Sequence, residues 1–156
     1  FDGATTDGEP DRRAARALLA ERAGAFDDQL TPVPPVARGQ KAARAGATAM
    51  LDVSDGLVLD GGRLAEASGV VLNLSSMQLA EDFEAVASAF PEYRDVAAEL
   101  VLTGGEDHGL LATFPSRSVM PAGFRQIGRV LAGAPGVQVD GEPHRGRGGW
   151  DSFTER

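Results

Sequence analysis

Apolar positions recur in two rhythms along the chain, and the switches between them mark the expected elements. From Pro10 to Phe26, Ala15, Leu18, Leu19 and Ala23 stand at helical spacing among charges, the stripe of an amphipathic helix. Thr31-Pro32-Val33-Pro34-Pro35 then stops any helix, because proline lacks an amide donor and pushes the preceding residue towards extended backbone. A second helix is expected from about Val36 to Ala45, ending near Gly46. Thr48 to Val53 has the short apolar run of a buried strand, and Leu57, Leu64 and Ala67 restore the helical spacing until Gly69. Val70 to Leu74 fits a strand; Leu79 to Phe90 and Tyr93 to Leu102 fit helices separated by Pro91. Leu110 to Phe114, Phe124 to Val130 and Val137 to Val139 fit strands, with turns at Pro135-Gly136 and Asp140-Gly141. Residues 1–9 fit a flexible lead-in.

Helices and strands do not alternate regularly, so α+β is favoured over a doubly wound parallel sheet. Nothing repeats at a fixed period, which excludes a solenoid. The compact domain is expected to begin at about residue 32, after the proline-rich linker.

The 156 residues suffice for one domain of ordinary size. A net charge of -8 argues against nucleic acid as a partner, and no apolar run is long enough to span a bilayer, so no membrane role is expected. Phe1 to Pro10 is polar and acidic, unlike a secretory signal, and the chain contains no cysteine; both fit the cytoplasm. The chain opens on Phe1, which gives the expectation that it is part of a longer polypeptide. Lys41 is the only lysine and has no chemical constellation around it.

The chemistry concentrates in Asp52-Val53-Ser54-Asp55-Gly56-Leu57, where a strand is expected to pass into a helix. Two carboxylates flanking a hydroxyl at such a turn suit Mg²⁺, and the amides opening the helix favour an anion nearby. A plainer reading stands beside it: Ser54 or Asp55 caps the helix beginning near Gly56. Asp52, in an apolar strand, would be costly to bury without a metal or hydrogen-bond partner.

Thr103-Gly104-Gly105-Glu106-Asp107-His108 is the second candidate, two glycines before two acids permitting close backbone approach to a ligand. A solvent-exposed turn explains it equally well. In Gly148-Gly149-Trp150-Asp151-Ser152-Phe153 the single tryptophan could stack on a flat heterocycle, although on the residues alone an anchor for the chain end is favoured. No G-x-x-x-x-G-K-[ST], no G-x-G-x-x-G after a strand and no H-E-x-x-H occurs.

Together these segments resemble the C-terminal half of thiamine-monophosphate kinases. That family carries D-[IV]-S-D-G-L, matched by Asp52 to Leu57, and an L-x-x-[IL]-A-x-A-S-G-type helix, matched by Leu64-Ala65-Glu66-Ala67-Ser68-Gly69. Its T-G-G-E-D segment corresponds to Thr103–Asp107, and Ile127-Gly128-Arg129-Val130 and Gly149-Trp150-Asp151-x-Phe153 also match. The likeness covers roughly residues 32 to 153 in order.

The resemblance implies ATP- and Mg²⁺-dependent phosphorylation of thiamine monophosphate to thiamine diphosphate. It implies a layered α/β/α sandwich with a mixed, mostly antiparallel sheet, like the C-terminal domain of aminoimidazole-ribotide synthetase. By matching position Asp52 and Asp55 are Mg²⁺ ligands, Asp55 also carrying the catalytic assignment, and Ser54 contacts ATP. Glu106, His108 and Trp150 are substrate contacts. Residues 1–31 correspond to the trailing part of a missing N-terminal domain and its linker, and 32–156 to the kinase domain, inactive alone. The full-length protein is expected to be a homodimer. His108-Gly109 departs from the family, which commonly has an aromatic and then an acid there. Another ATP-dependent enzyme of the superfamily, or a non-catalytic ligand-binding domain, are the alternatives.

Overall fold

The structure, a computed structural model, describes residues 36–105 and 109–145, together with the backbone pairing of 5–6 with 9–10. The chain divides into two units, Phe1–Pro32 and Val33–Arg156. In the first, β1 (Thr5–Thr6) pairs antiparallel with β2 (Glu9–Pro10). This pairing falls within the lead-in expected to be flexible. Of the helix expected from Pro10 to Phe26, Pro10 belongs instead to β2 and residues 11–26 lie outside the described residues, as does the linker at 31–35.

The second unit runs α1 (Val36–Arg44), β3 (Ala49–Val53), α2 (Leu57–Ser68), β4 (Val71–Leu74) and α3 (Ala80–Ala89). A 3₁₀ turn over Pro91–Val96 follows, then α4 (Ala97–Thr103), β5 (Gly109–Thr113), β6 (Gly128–Leu131), β7 (Gly136–Val139) and β8 (Glu142–Pro143). Strand β3 pairs antiparallel with β5, Asp52 opposite Leu110 and Leu51 opposite Leu111. The other sheet has the order β6-β4-β7-β8; only the β4–β7 ladder is parallel. The architecture is α+β with mixed, mostly antiparallel pairing, as expected.

Helix α1 lies against one face of β3–β5, where a Cβ on Gly39 would stand 3.6 Å from Met50 Cε and 3.7 Å from Leu110 Cδ1. The opposite face sends Val53 and Leu111 into a core with Leu64 and Ala65 of α2 and Leu72 of β4. Helix α2 touches both sheets: a Cβ on Gly61 would meet Val137 and Leu72 of one and Leu111 of the other. A second core joins Val58 of α2, Leu74 of β4, Leu79 and Leu102 of α4. Each such buried aliphatic side chain is worth about 1.5–3 kcal/mol, so the position of α2, and of the turn that leads into it, is firmly set.

Three expectations need correction. Strand β3 is not buried throughout: its residues alternate, and only Val53 is buried while Met50 and Asp52 are exposed. A strand with one face on the core shows this period of two. The helix expected from Tyr93 begins only at Ala97, because Pro91 opens a tight 3₁₀ turn in which Tyr93 stands at φ -109°, ψ 15°. The strand expected from Phe124 is confined to Gly128–Leu131. Phe124 closes a turn onto the Pro121 carbonyl and packs edge-on to Phe114, centroids 5.9 Å apart. Arg125 is drawn to the Gln78 carbonyl and the Asp82 carboxylate, so pairing with β4 starts only afterwards. Among the described residues no helix is long and apolar enough to cross a membrane.

Candidate functional site

The turn between β3 and α2 is built by an acid that is the fourth residue of the helix. Asp60, 2% exposed, lies on the face of α2 that also buries Val58, Gly61, Leu64 and Ala65. Its Oδ2 accepts the Ser54 amide at 2.9 Å and the Asp55 amide at 2.8 Å. Helix α2 therefore follows Gly56 at its N-cap without a side-chain cap from either Ser54 or Asp55, so the plain capping alternative does not occur. The Ser54 hydroxyl instead donates to Asp55 Oδ1 at 3.3 Å.

Arg63, one turn along α2, joins the two acids. Its Nη1 donates to Asp60 Oδ1 and to Asp55 Oδ2, each at 2.6 Å. The hydrogen bond to Asp55, then that to Asp60, raises the guanidinium pKa further above its ordinary value. The Asp60 side chain is almost fully enclosed whereas Arg63 and Asp55 are 45% and 31% exposed, so solvent screens the outer pair more than the inner one. A buried carboxylate satisfied by two amides and a guanidinium is the arrangement that makes its burial tolerable.

The second motif meets the first through backbone. Helix α4 ends at Thr103, and Gly104 donates its amide to the Leu100 carbonyl at 2.7 Å. Gly56 has φ 119°, and a Cβ there would stand 2.8 Å from the Thr103 carbonyl oxygen. Gly105 reciprocates: its Cβ would be 2.8 Å from the Ser54 carbonyl oxygen. Side chains at either position would force the segments apart. The structure thus joins Ser54-Asp55-Gly56 to Thr103-Gly104-Gly105, and Glu106 is the next residue of the chain. Glu106, His108 and Trp150 themselves lie outside the described residues.

Asp52 is placed differently from expectation. It shares the outer face of β3 with Met50 and is exposed, so burial does not demand a partner for it. Among the described residues no three His, Asp or Glu side chains gather as a ready-made metal site. A cavity of 290 Å³ lies at the opposite end of β3 and α2, lined mostly by apolar residues including Ala49, Leu64, Val70 and Val130. It contains no acid.

No family model matches the chain. A thiamine-monophosphate kinase of Mycobacterium tuberculosis (strain CDC 1551 / Oshkosh) is 49% identical over 126 residues, 81% of this chain. The chain is a homologue of thiamine-monophosphate kinases. It spans 37% of that relative's length. Among solved structures, AaThiL complexed with AMPPCP and TMP matches with a TM-score of 0.68 and 29% identity, over 89% of this chain and 46% of its own. The thiamine monophosphate kinase of Aquifex aeolicus matches with a TM-score of 0.66 and 30% identity, over 83% of this chain and 46% of its own. The described α+β architecture is accordingly that of the thiamine-monophosphate kinase structures.

Asp60 and Arg63 were not singled out in the sequence. The available signal was a lone acid at Asp60 within an apolar helix face, followed by a base three residues later, the i, i+3 spacing at which helical side chains meet.

Proposed function

We propose that this chain is the C-terminal metal- and substrate-binding domain of a kinase that converts thiamine monophosphate and ATP to thiamine diphosphate and ADP. A phosphate oxygen of thiamine monophosphate forms the new bond to the γ-phosphorus of ATP. The bond from that phosphorus to the β–γ bridging oxygen breaks, and its electron pair leaves with ADP. Such transfer needs positioning and charge neutralisation more than covalent help, so no phospho-enzyme is required. The observation that carries the reading is the junction of Ser54-Asp55-Gly56 with Thr103-Gly104-Gly105 in a homologue of these kinases. One of its solved neighbours, AaThiL, is complexed with AMPPCP, an ATP analogue, and TMP.

The donor set fits Mg²⁺. Asp52 offers an exposed carboxylate, and the Asp55 carboxylate already receives a cationic group from Arg63. Mg²⁺ takes one or two carboxylates and completes its shell with water and substrate phosphates, so a third acid is unnecessary. When bound, Mg²⁺ neutralises charge on the transferring phosphoryl group. Asp52 and Asp55 would hold it, Ser54 would meet the nucleotide, and Glu106, His108 and Trp150 would meet thiamine monophosphate. The chain spans 37% of the length of the Mycobacterium tuberculosis relative, which leaves room for a further domain on which residues 32–156 would depend. The complete protein would be a cytoplasmic homodimer.

The test is a steady-state assay of the complete polypeptide with ATP, Mg²⁺ and thiamine monophosphate, beside Asp55→Ala and the isolated chain. Thiamine diphosphate is expected from the complete protein alone. Turnover by the isolated chain would refute the domain dependence, and no product from the folded complete protein would refute the activity.

A further inference from the structure

We propose that Asp60 is a positioning residue that fixes the Asp55 carboxylate for its cation without touching metal or nucleotide. This rests on the reading of Asp55 as a metal ligand. The argument is geometric. One oxygen of Asp60 holds the amides of both Ser54 and Asp55, which sets the backbone from which the Asp55 side chain departs. The other oxygen holds Arg63 Nη1, and the same nitrogen holds Asp55 Oδ2. Backbone and carboxylate of one residue are therefore tied to a single buried acid, at 2.8 Å directly and through one guanidinium. Asp60 can act this way because α2 is pinned to both sheets through Gly61, Leu64 and Ala65, so the anchor does not move. A ligand set held by its surroundings loses less freedom when the cation arrives.

Asp60→Asn and Arg63→Gln separate the two ties. Asparagine retains a neutral oxygen for the amides and puts an NH₂ group where Arg63 needs an acceptor. In the complete polypeptide, hydrogen exchange read by mass spectrometry should be at least about fivefold faster over residues 53–56 in Asp60→Asn, charged acceptors being the stronger. Exchange over residues 63–67 of α2 should be unchanged. Arg63→Gln should leave the exchange at 53–56 as in the wild type. Both variants should bind Mn²⁺, read by electron paramagnetic resonance with AMPPCP present, at least about fivefold more weakly. The rate constant kcat should fall while KM for thiamine monophosphate stays within about twofold.

Unchanged exchange at 53–56 in Asp60→Asn overturns the proposal, as does unchanged or tighter Mn²⁺ binding in either variant. If Asp60→Asn does not fold, Arg63→Gln decides through Mn²⁺ alone. A folded wild type that makes no thiamine diphosphate would sink the kinase reading, while the exchange and Mn²⁺ measurements would still decide the role of Asp60. Absence of Mn²⁺ binding by the wild type overturns the proposal.

Discussion

Gly105 lies backbone to backbone against Ser54, close enough that a Cβ at position 105 would stand 2.8 Å from the Ser54 carbonyl oxygen. Two segments far apart in sequence are thereby joined without any side chain between them. The contact makes the glycines of both motifs structural requirements, whatever ligand they serve.

Gly105→Ala should cost about 1–3 kcal/mol, the usual penalty of forcing an atom into a packed contact. Gly56→Ala should cost more, at least about 2 kcal/mol, since φ 119° is unfavourable for alanine as well as crowded against Thr103. Urea unfolding of the two variants measures both, and the expected order is Gly56→Ala below Gly105→Ala below wild type.

Asp60 and its partner Arg63 should respond unequally to truncation. Asp60→Ala strands two amides and a guanidinium and should destabilise by about 3 kcal/mol. Arg63→Ala should cost about 1–2 kcal/mol, because the guanidinium is half exposed and Asp60 keeps both backbone donors. Equal losses in denaturant melts would contradict the assignment of Asp60 as the anchor.

Asp52 offers a separation of function from stability. Its carboxylate is exposed on β3, so Asp52→Asn should change unfolding free energy by less than about 0.5 kcal/mol. If the complete polypeptide is the proposed kinase, the same variant of it should need a higher Mg²⁺ concentration for half its maximal rate. A large loss of stability with no change in Mg²⁺ dependence would reverse both statements.

Acidification should weaken the ion pair between Glu84 and Arg94. The Arg94 guanidinium, helped by the Ser88 hydroxyl, lowers the Glu84 pKa below its ordinary 4.5. A carboxyl depressed on folding stabilises above its unfolded pKa, and the contribution is lost as pH falls through the folded one. Glu84→Gln should therefore melt slightly below wild type at neutral pH and level with it in strong acid. Both side chains are exposed, so added salt should shrink the difference at neutral pH.

Much of the fold was legible because its signals are local. The helix α1, the run from β3 through α2 to Gly69, and β4 all stand within a residue or two of their expected bounds. Hydrophobic spacing and glycine placement act over single turns and need no tertiary information. Phe124 to Ile127 was misread because Phe114, Gln78 and Asp82, all distant in sequence, decide that stretch's path. The candidate site divides the same way. Ser54 and Asp55 stand out in the sequence by their spacing, and the structure places them at the junction with Gly105; Asp60 acquires its place only through tertiary burial, which no local spacing encodes.

The placement of β4 has a consequence for how the chain comes into being. Val71–Leu74 is flanked by β6 and β7, both made much later during synthesis. Likewise β3 waits for β5. Neither edge of the β4 ribbon can be satisfied until residues 128–139 have left the ribosome, so the nascent chain carries an apolar strand with two bare edges. Nonsense truncations that remove β6 and β7 should yield inclusion bodies and not shortened soluble domains.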